Sequence, residues 1–349
     1  MRSAMQLYAF FILVVVVVAT GVAPSLLPGS VSLAANAQFP NRSLARAPLI
    51  HRVLNVGPTR NLANPSDAAA VVRTGDTVAI DAGTYNDCAV WPRRAGLLTI
   101  EAAGGTAVIT GRSCEYKALF VIKSDDVIVR GITFTGATAP RHNGAGIRAE
   151  GRNLTIEDSQ FIDNQEGILT GQNSGGAIIV RNSTFKGNGN CIEACAHGIY
   201  VGHVALLRIE RSQFLAQNIG HHVKSRAERT ELTGNTIEDG PTGTASYLVD
   251  IPNGGALVMR NNTLEKGPFS DNQNVAVILG EEGVTNVTSE IIIENNEFKN
   301  DLPRETIFVR NDTAEAAVLR GNRLSGSVIP LDGLGTVDTK LFVPGTAGR

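Results

Sequence analysis

Neither sign of charge dominates this chain: 31 Lys and Arg stand against 33 Asp and Glu, a formal charge of −2. A nucleic-acid partner would need a dense basic surface to neutralise phosphates, so none is expected. An acidic polysaccharide asks only for a local basic patch. Aromatic residues are scarce at 5%. Between Thr77 and Leu324 no stretch carries helical periodicity of useful length, which excludes helical solenoids and layered α/β folds. Cysteine is limited to four residues. With no second paired-ligand motif, disulfides suit them better than a zinc site built with His197 and His203. Cys88 and Cys114 lie about one repeat apart, and Cys191 and Cys195 share a turn-rich segment. Pairings 88–114 and 191–195 are therefore favoured among the three connectivities that four cysteines allow.

What is present is apolar residues at 43%, ample for a core, and 37 glycines, which point to many turns and short strands. The N-terminus reads as an export signal. Arg2 supplies the positive region, Leu7 to Ala19 the apolar run, and Ala35-Asn36-Ala37 a small-x-small cleavage site, which places the mature start at Gln38. An uncleaved anchor is the alternative, since the run extended to Ala23 is nearly long enough to span a bilayer. Either way the body is exported, periplasmic or extracellular. Once the signal is cleaved, no stable membrane insertion is expected. Nothing in the sequence sets an oligomeric state.

Self-similarity is the most informative feature. Short segments ending in an apolar residue recur at steps of roughly 23 to 34 residues, from Gly131-Ile132-Thr133-Phe134 through Asp158-Ser159-Gln160-Phe161 and Asn182-Ser183-Thr184-Phe185 to Gly321-Asn322-Arg323-Leu324. Ser159, Ser183, Ser212, Asn235, Asn262, Asn296 and Asn322 sit two places before the terminal apolar residue, positions suited to a hydrogen-bonded ladder at a turn. No hairpin signature joins the strands, so successive rungs stack in parallel. The expected fold is all-β, a right-handed parallel β-helix. Its rungs lie about 4.8 Å apart, so equivalent residues of neighbouring repeats are near contacts.

Before the repeats, Asn64 to Val72 is a short helix candidate with a capping-type start. Gly75 to Tyr85 then resembles the opening segment of secreted pectate-lyase-like β-helix proteins, and that resemblance implies that the helix caps the coil. It covers roughly Asn61 to Leu324. Residues 38 to about 60 look irregular, and so does the tail after Pro330, rich in Gly, Thr and Pro. The expected organisation is a signal peptide over 1–37, a β-helix domain over 38–330 and a C-terminal tail over 331–349.

Aligning the first strand of each coil converts register into a site. Ile147, Ile168, Ile199, Val223, Leu248 and Val277 form the expected inward column. One place on, the outward column reads Arg148, Leu169, Tyr200, Lys224, Val249 and Ile278. Glu150, Gly171, Gly202, Arg226, Ile251 and Gly280 form a second outward column, while Glu166, His197 and His221 share the strand entrance ahead of Ser246. Tyr200, Lys224, Arg226, His197 and His221 are thus the candidate catalytic set. Arg148, Glu166, His222, Asp250 and Asn253 are candidate substrate contacts.

This set suits β-elimination on a uronic-acid polymer, which needs a neutralised carboxylate, abstraction of the proton α to it and protonation of the leaving oxygen. Arg226 can bind both carboxylate oxygens. Lys224, with its pKa lowered by Arg226 and protonated histidine, is the base candidate, and Tyr200, His197 or His221 would deliver the proton. Lys224-Ser225 followed by Gly234-Asn235-Thr236 resembles the catalytic-lysine rung of alginate-lyase and chondroitinase-B type polysaccharide lyases. That resemblance implies a Lys base, an Arg and calcium as a candidate cofactor. The next rung departs from it, with Val249-Asp250-Ile251-Pro252-Asn253 where those proteins place Arg-His-Gly, so Arg226 would have to substitute. The leading expectation is a polysaccharide lyase on an acidic glycan. The alternatives are a glycoside hydrolase using Asp250 and Glu282, an epimerase, or a non-catalytic glycan-binding or envelope structural protein.

Overall fold

The structure, a computed structural model, describes residues 51–192 and 194–342. The expected signal peptide lies outside them. Among the described residues no helix is long and apolar enough to cross a membrane. The chain winds into a right-handed parallel β-solenoid of about 11 turns. One face is a ten-stranded sheet running from Ala89–Trp91 to Val328–Gly333. The other faces belong to a nineteen-stranded sheet whose longest strands, such as Leu98–Thr110, turn the corner between them.

Among the described residues a single helix, Pro65–Val71, closes the N-terminal end of the coil. Asn64 precedes it in extended conformation, and its backbone N–H donates to Asp67 Oδ2 at 2.9 Å. Pro65 costs nothing at the first turn, where its missing N–H would have had no partner. Arg94 donates to the carbonyls of Ala70 and Val72 at the other end, satisfying groups that a helix C-terminus leaves open. The buried face, with Ala68 and Ala69, covers the first coil.

The interior is ordered by columns. Trp91, Phe120, Phe134, Phe161, Phe185 and Phe214 stack rung on rung, with successive centroids 5.3, 5.0, 5.2, 4.6 and 4.4 Å apart. Glycine faces the rings in three coils: a Cβ at Gly167 would meet the Phe185 ring at 2.9 Å and the Gly198 carbonyl oxygen at 2.1 Å. Where the aromatic column ends, Ile237 follows Phe214 and His222 follows Gly198.

Two ladders fix the rungs. Ser159, Ser183, Ser212, Asn235, Asn262, Asn296 and Asn322 are all buried, and each side-chain oxygen accepts a backbone N–H from the preceding coil. Asn235 N–H, for example, donates to Asn262 Oδ1 at 2.9 Å, and Asn262 N–H to Asn296 Oδ1 at 2.9 Å. On the outside, Glu101, Arg130, Glu157, Arg181, Glu210, Thr233, Arg260, Glu294, Arg320 and Asp338 occupy one column. Its signs alternate with one interruption at Thr233. Cys88 pairs with Cys114 and Cys191 with Cys195, so neither cysteine near His197 is a free thiolate for zinc.

Three expectations need correction. Strand pairing continues through Val328–Gly333 and Gly335–Phe342, so the stretch read as an irregular tail after Pro330 is sheet up to Phe342. The stretch before the helix likewise holds a strand, Val53–Val56. In the coil at 247–251, Val223 pairs with Val249 rather than with Leu248, and Lys224 pairs with Asp250. Leu248 and Val249 are both fully buried, so burial alone does not choose between the two registers. The one-residue slip turns Val249 and Ile251 inward, puts Asp250 in the outward column and puts Tyr247 in the histidine column in place of Ser246.

Candidate functional site

The outward column of the ten-stranded sheet now reads Arg148, Leu169, Tyr200, Lys224, Asp250, Ile278 and Arg310. Side chains alternate along each strand, so Val223 and Ser225 point inward and Lys224 points out. Lys224 is nonetheless only 7% exposed, because neighbouring rungs and the loop Gly280–Gly283 close around it. Its Nζ lies 2.9 Å from Asp250 Oδ2 and 2.7 Å from Glu282 Oε1. The contact to Asp250 is off the axis of a hydrogen bond, and neither oxygen of that fully buried carboxylate has a hydrogen-bond partner. The Lys224 ammonium is the charge that balances Asp250.

Arg226, two residues on, is held on three sides. Its Nε donates to the Tyr200 hydroxyl oxygen at 2.7 Å, Nη1 to Asn253 Oδ1, and Nη2 to Glu282 Oε2 at 2.6 Å. Lys224 and Arg226 thus converge on the two oxygens of one carboxylate. The Tyr200 ring lies beside both cations, 5.8 Å from Lys224 Nζ and 5.6 Å from Arg226 Cζ. Tyr200 accepts from Arg226, which leaves its own O–H free to donate.

The histidine column lies beside this cluster. His197 and His221 stack with ring centroids 4.7 Å apart, and Tyr247 follows at 5.0 Å. The backbone N–H of His221 donates to His197 Nδ1, and that of Tyr247 to His221 Nδ1. Each imidazole is therefore neutral at Nδ1 and carries its proton on Nε2. His221 Nε2 lies 3.4 Å from Asp250 Oδ2. Burial, with Lys224 and Arg226 close by, pushes His197 down to about 3. Burial, then His197 and Lys224, push His221 well below the usual imidazole range.

These facts revise several expected roles. The histidines are not protonated neighbours of the lysine. Burial opposes the charge of Lys224, but Asp250 and Glu282 outweigh it and hold the ammonium above its ordinary value instead of lowering it. Burial pushes Asp250 up to about 6 against the pull of Lys224, with Glu281 and Glu282 adding to the rise. Burial acts the same way on Glu282, yet hydrogen bonds from Lys224 and Arg226 prevail and its carboxyl is lowered. Glu166 is 1% exposed and driven well up by burial, and its Oε1 has no partner; it stands behind the surface. His222 is buried and meets Asp239 Oδ1 at 2.9 Å, with Ser270 and the Gly267 N–H on the same carboxylate. It is a core contact and cannot reach a glycan. Asn253 positions Arg226 and donates to the Gly283 carbonyl at 3.1 Å.

Sequence reasoning missed Tyr247, whose hydroxyl donates to Glu281 Oε2 at 2.8 Å, and gave too little weight to Glu282. Asp250, Glu281 and Glu282 present oxygens within 4.8 Å of one another, the one such acidic cluster among the described residues and a hint of a calcium site. Calcium wants six to eight oxygen ligands, whereas here the ammonium of Lys224 already sits on two of the three carboxylates. The residues in this arrangement do not fit a calcium ion.

Residues 60–196 match the family model described as right handed beta helix region. No curated protein sequence matches the chain. Among solved structures, pectate lyase Pel9A superposes with a TM-score of 0.54 at 16% identity, over 83% of this chain and 78% of that one. A second chain, Geobacillus virus E2 ORF18, reaches a TM-score of 0.41 at 15% identity over 80% of this chain and 54% of that one, too low to argue from. What these likenesses show is the fold, a right-handed parallel β-helix.

Proposed function

We propose that this protein is a polysaccharide lyase that cleaves a uronic-acid-containing glycan by β-elimination. One observation carries the reading: Lys224, on the strand Val223–Ser225, and Arg226, just past its end, jointly hold a carboxylate supplied by a surface loop. Glu282 is 41% exposed at its side chain, and Gly280 and Gly283 on either side have φ of +86° and +95°. A loop carboxylate so placed is exchangeable, and a uronate is the ligand that replaces it in kind. Pel9A, a solved structure with this fold, is a pectate lyase, which agrees with the reading without carrying it.

In this reading Arg226 binds the uronate carboxylate through its planar fork and stabilises the charge that grows there as the α-proton leaves. Once the uronate has displaced Glu282, one of the two carboxylates that hold its ammonium protonated, Lys224 passes a proton to Asp250, whose carboxyl titrates near 6; its freed amine takes the α-proton of the sugar, and Asp250 gives its proton up to solvent. The C–H electron pair becomes the new carbon–carbon double bond as the glycosidic C–O bond breaks. The proton for the leaving oxygen comes from Tyr200, which is reprotonated from solvent. Because Asp250 must be ionised to relieve Lys224, activity falls as pH drops through about 6. The test is a panel of uronic-acid glycans read by ultraviolet absorbance of the unsaturated product. Lys224→Ala and Arg226→Lys should each cost about 10²-fold or more in kcat; unchanged rates would remove these residues from the chemistry.

A second reading, hydrolysis, is favoured by the opposite displacement of two neighbouring carboxyls, Asp250 upward and Glu282 downward, the pattern of an acid and base pair. New reducing ends without ultraviolet absorbance would select it. The two disulfides and the sequence pattern of residues 1–37 support an exported protein, which N-terminal sequencing of secreted material tests.

A further inference from the structure

Three rungs toward the N-terminus from Lys224, the same outward column enters a groove of ≈ 560 Å³ that includes Tyr116, Arg141, Arg148 and Leu169 in its lining. Arg148 pairs in register with Leu169, Leu169 with Tyr200 and Tyr200 with Lys224. At about 4.8 Å per rung, Arg148 and Lys224 are therefore roughly 14 Å apart along the solenoid axis.

The charge of this groove is not spent internally. Arg148 Nε is buried without a hydrogen-bond partner and lies 3.7 Å from Glu150. That acid is taken by Lys117 at 2.6 Å, and Glu115 is taken by Lys117 and Lys123. Arg141 has no ion-pair partner among the described residues and is exposed. A buried, unpaired guanidinium N–H costs free energy until an acceptor arrives, so the groove is set up for an anion.

The walls are built in advance. Tyr116 is 73% exposed and presents a flat ring of the kind on which a sugar face stacks. It sits in a turn with Glu115 and Tyr116 both in left-handed backbone, φ +52° and +54°. Cys114 opens that turn, exchanging backbone hydrogen bonds with Ala118 and joined by a disulfide to Cys88. The opposite wall, Ala139 to Gly144, is pinned by Gln165 Oε1, which accepts the backbone N–H groups of both residues at 2.8 and 2.9 Å.

We propose that this groove is a distal subsite for a second uronate of the same glycan, so that the substrate lies along the solenoid axis and is gripped within its chain at two carboxylate sites three rungs apart. This rests on the uronate reading above and adds to it a direction, a minimal length and an endo mode of attack. The test compares polymeric uronate with a size series of short oligouronides on wild type, Arg148→Gln and Tyr116→Ala, the second being an exposed position whose loss leaves the core intact. The KM for polymer should rise about tenfold in Arg148→Gln with kcat little changed, while the shortest cleaved oligomers are unaffected. A polymer KM that does not move, or an equal loss at every length, overturns the subsite and leaves the lyase reading standing. If wild type cleaves no uronate glycan, affinity electrophoresis separates the two claims. Polymer retardation weakened by Arg148→Gln keeps the subsite and discards the enzyme, and no retardation discards both.

Discussion

Glu282 is where the lyase and hydrolase readings part. As an internal occupant of the cation pair it competes with substrate, so Glu282→Gln should lower KM about two- to fivefold, the worth of an exposed ion pair, with kcat retained. If Glu282 were instead a reacting carboxylate, the same change would abolish turnover. His197 yields a stability prediction. Its folded pKa, about 3, lies below the ordinary 6.5, so the unfolded chain binds the extra proton. The associated stability is present above pH 6.5 and is lost as pH falls toward 3. His197→Asn keeps an acceptor for the His221 N–H and removes that titration. Urea unfolding should show the gap between wild type and variant narrowing by up to about 1.4 kcal/mol per pH unit through that window. A gap independent of pH would mean that the imidazole is not buried neutral.

Each coil is an element that cannot bury its own faces, and the ladders decide how coils sit on one another. Asn262 receives the Asn235 N–H and donates to Asn235's neighbour strand at the Leu232 carbonyl and to Asn296. Asn262→Ala orphans buried partners and should cost about 2–4 kcal/mol in chemical denaturation; a loss below 1 kcal/mol would reduce the ladder to a packing feature (~1 kcal/mol is the worth of one ordinary hydrogen bond). The ladder was legible because Ser and Asn recur at a fixed offset from an apolar residue. The coil at Tyr247–Ile251 was misread because Leu248 and Val249 are adjacent and both apolar. The polar neighbours held the answer: placing Leu248 inward would also have turned Asp250 into the apolar column. Glu281 and Glu282 were harder, since their loop reaches Lys224 and Arg226 across 58 and 56 residues with no repeat to announce it.

Over the whole molecule, periodicity exposed the solenoid and the rung that bears the cations, whereas protonation states depended on burial that only the assembled coils create. Lys224 read as a lowered-pKa base until two carboxylates from later coils closed on it. The Cys88–Cys114 link closes a separation of 26 residues and holds the Tyr116 turn. Replacing both cysteines by serine should cost about 3 kcal/mol and raise the polymer KM, while activity on short oligomers persists. Equal losses on both substrates would deny the turn a binding role. The central claim is that Lys224 and Arg226 form a uronate site at which elimination occurs. Its most direct measurement is ultraviolet absorbance of uronic-acid glycans during incubation with wild type and with Arg226→Lys. A rise with wild type that Arg226→Lys loses is the predicted result; a rise undiminished in Arg226→Lys, or new reducing ends with no rise at all, would contradict it.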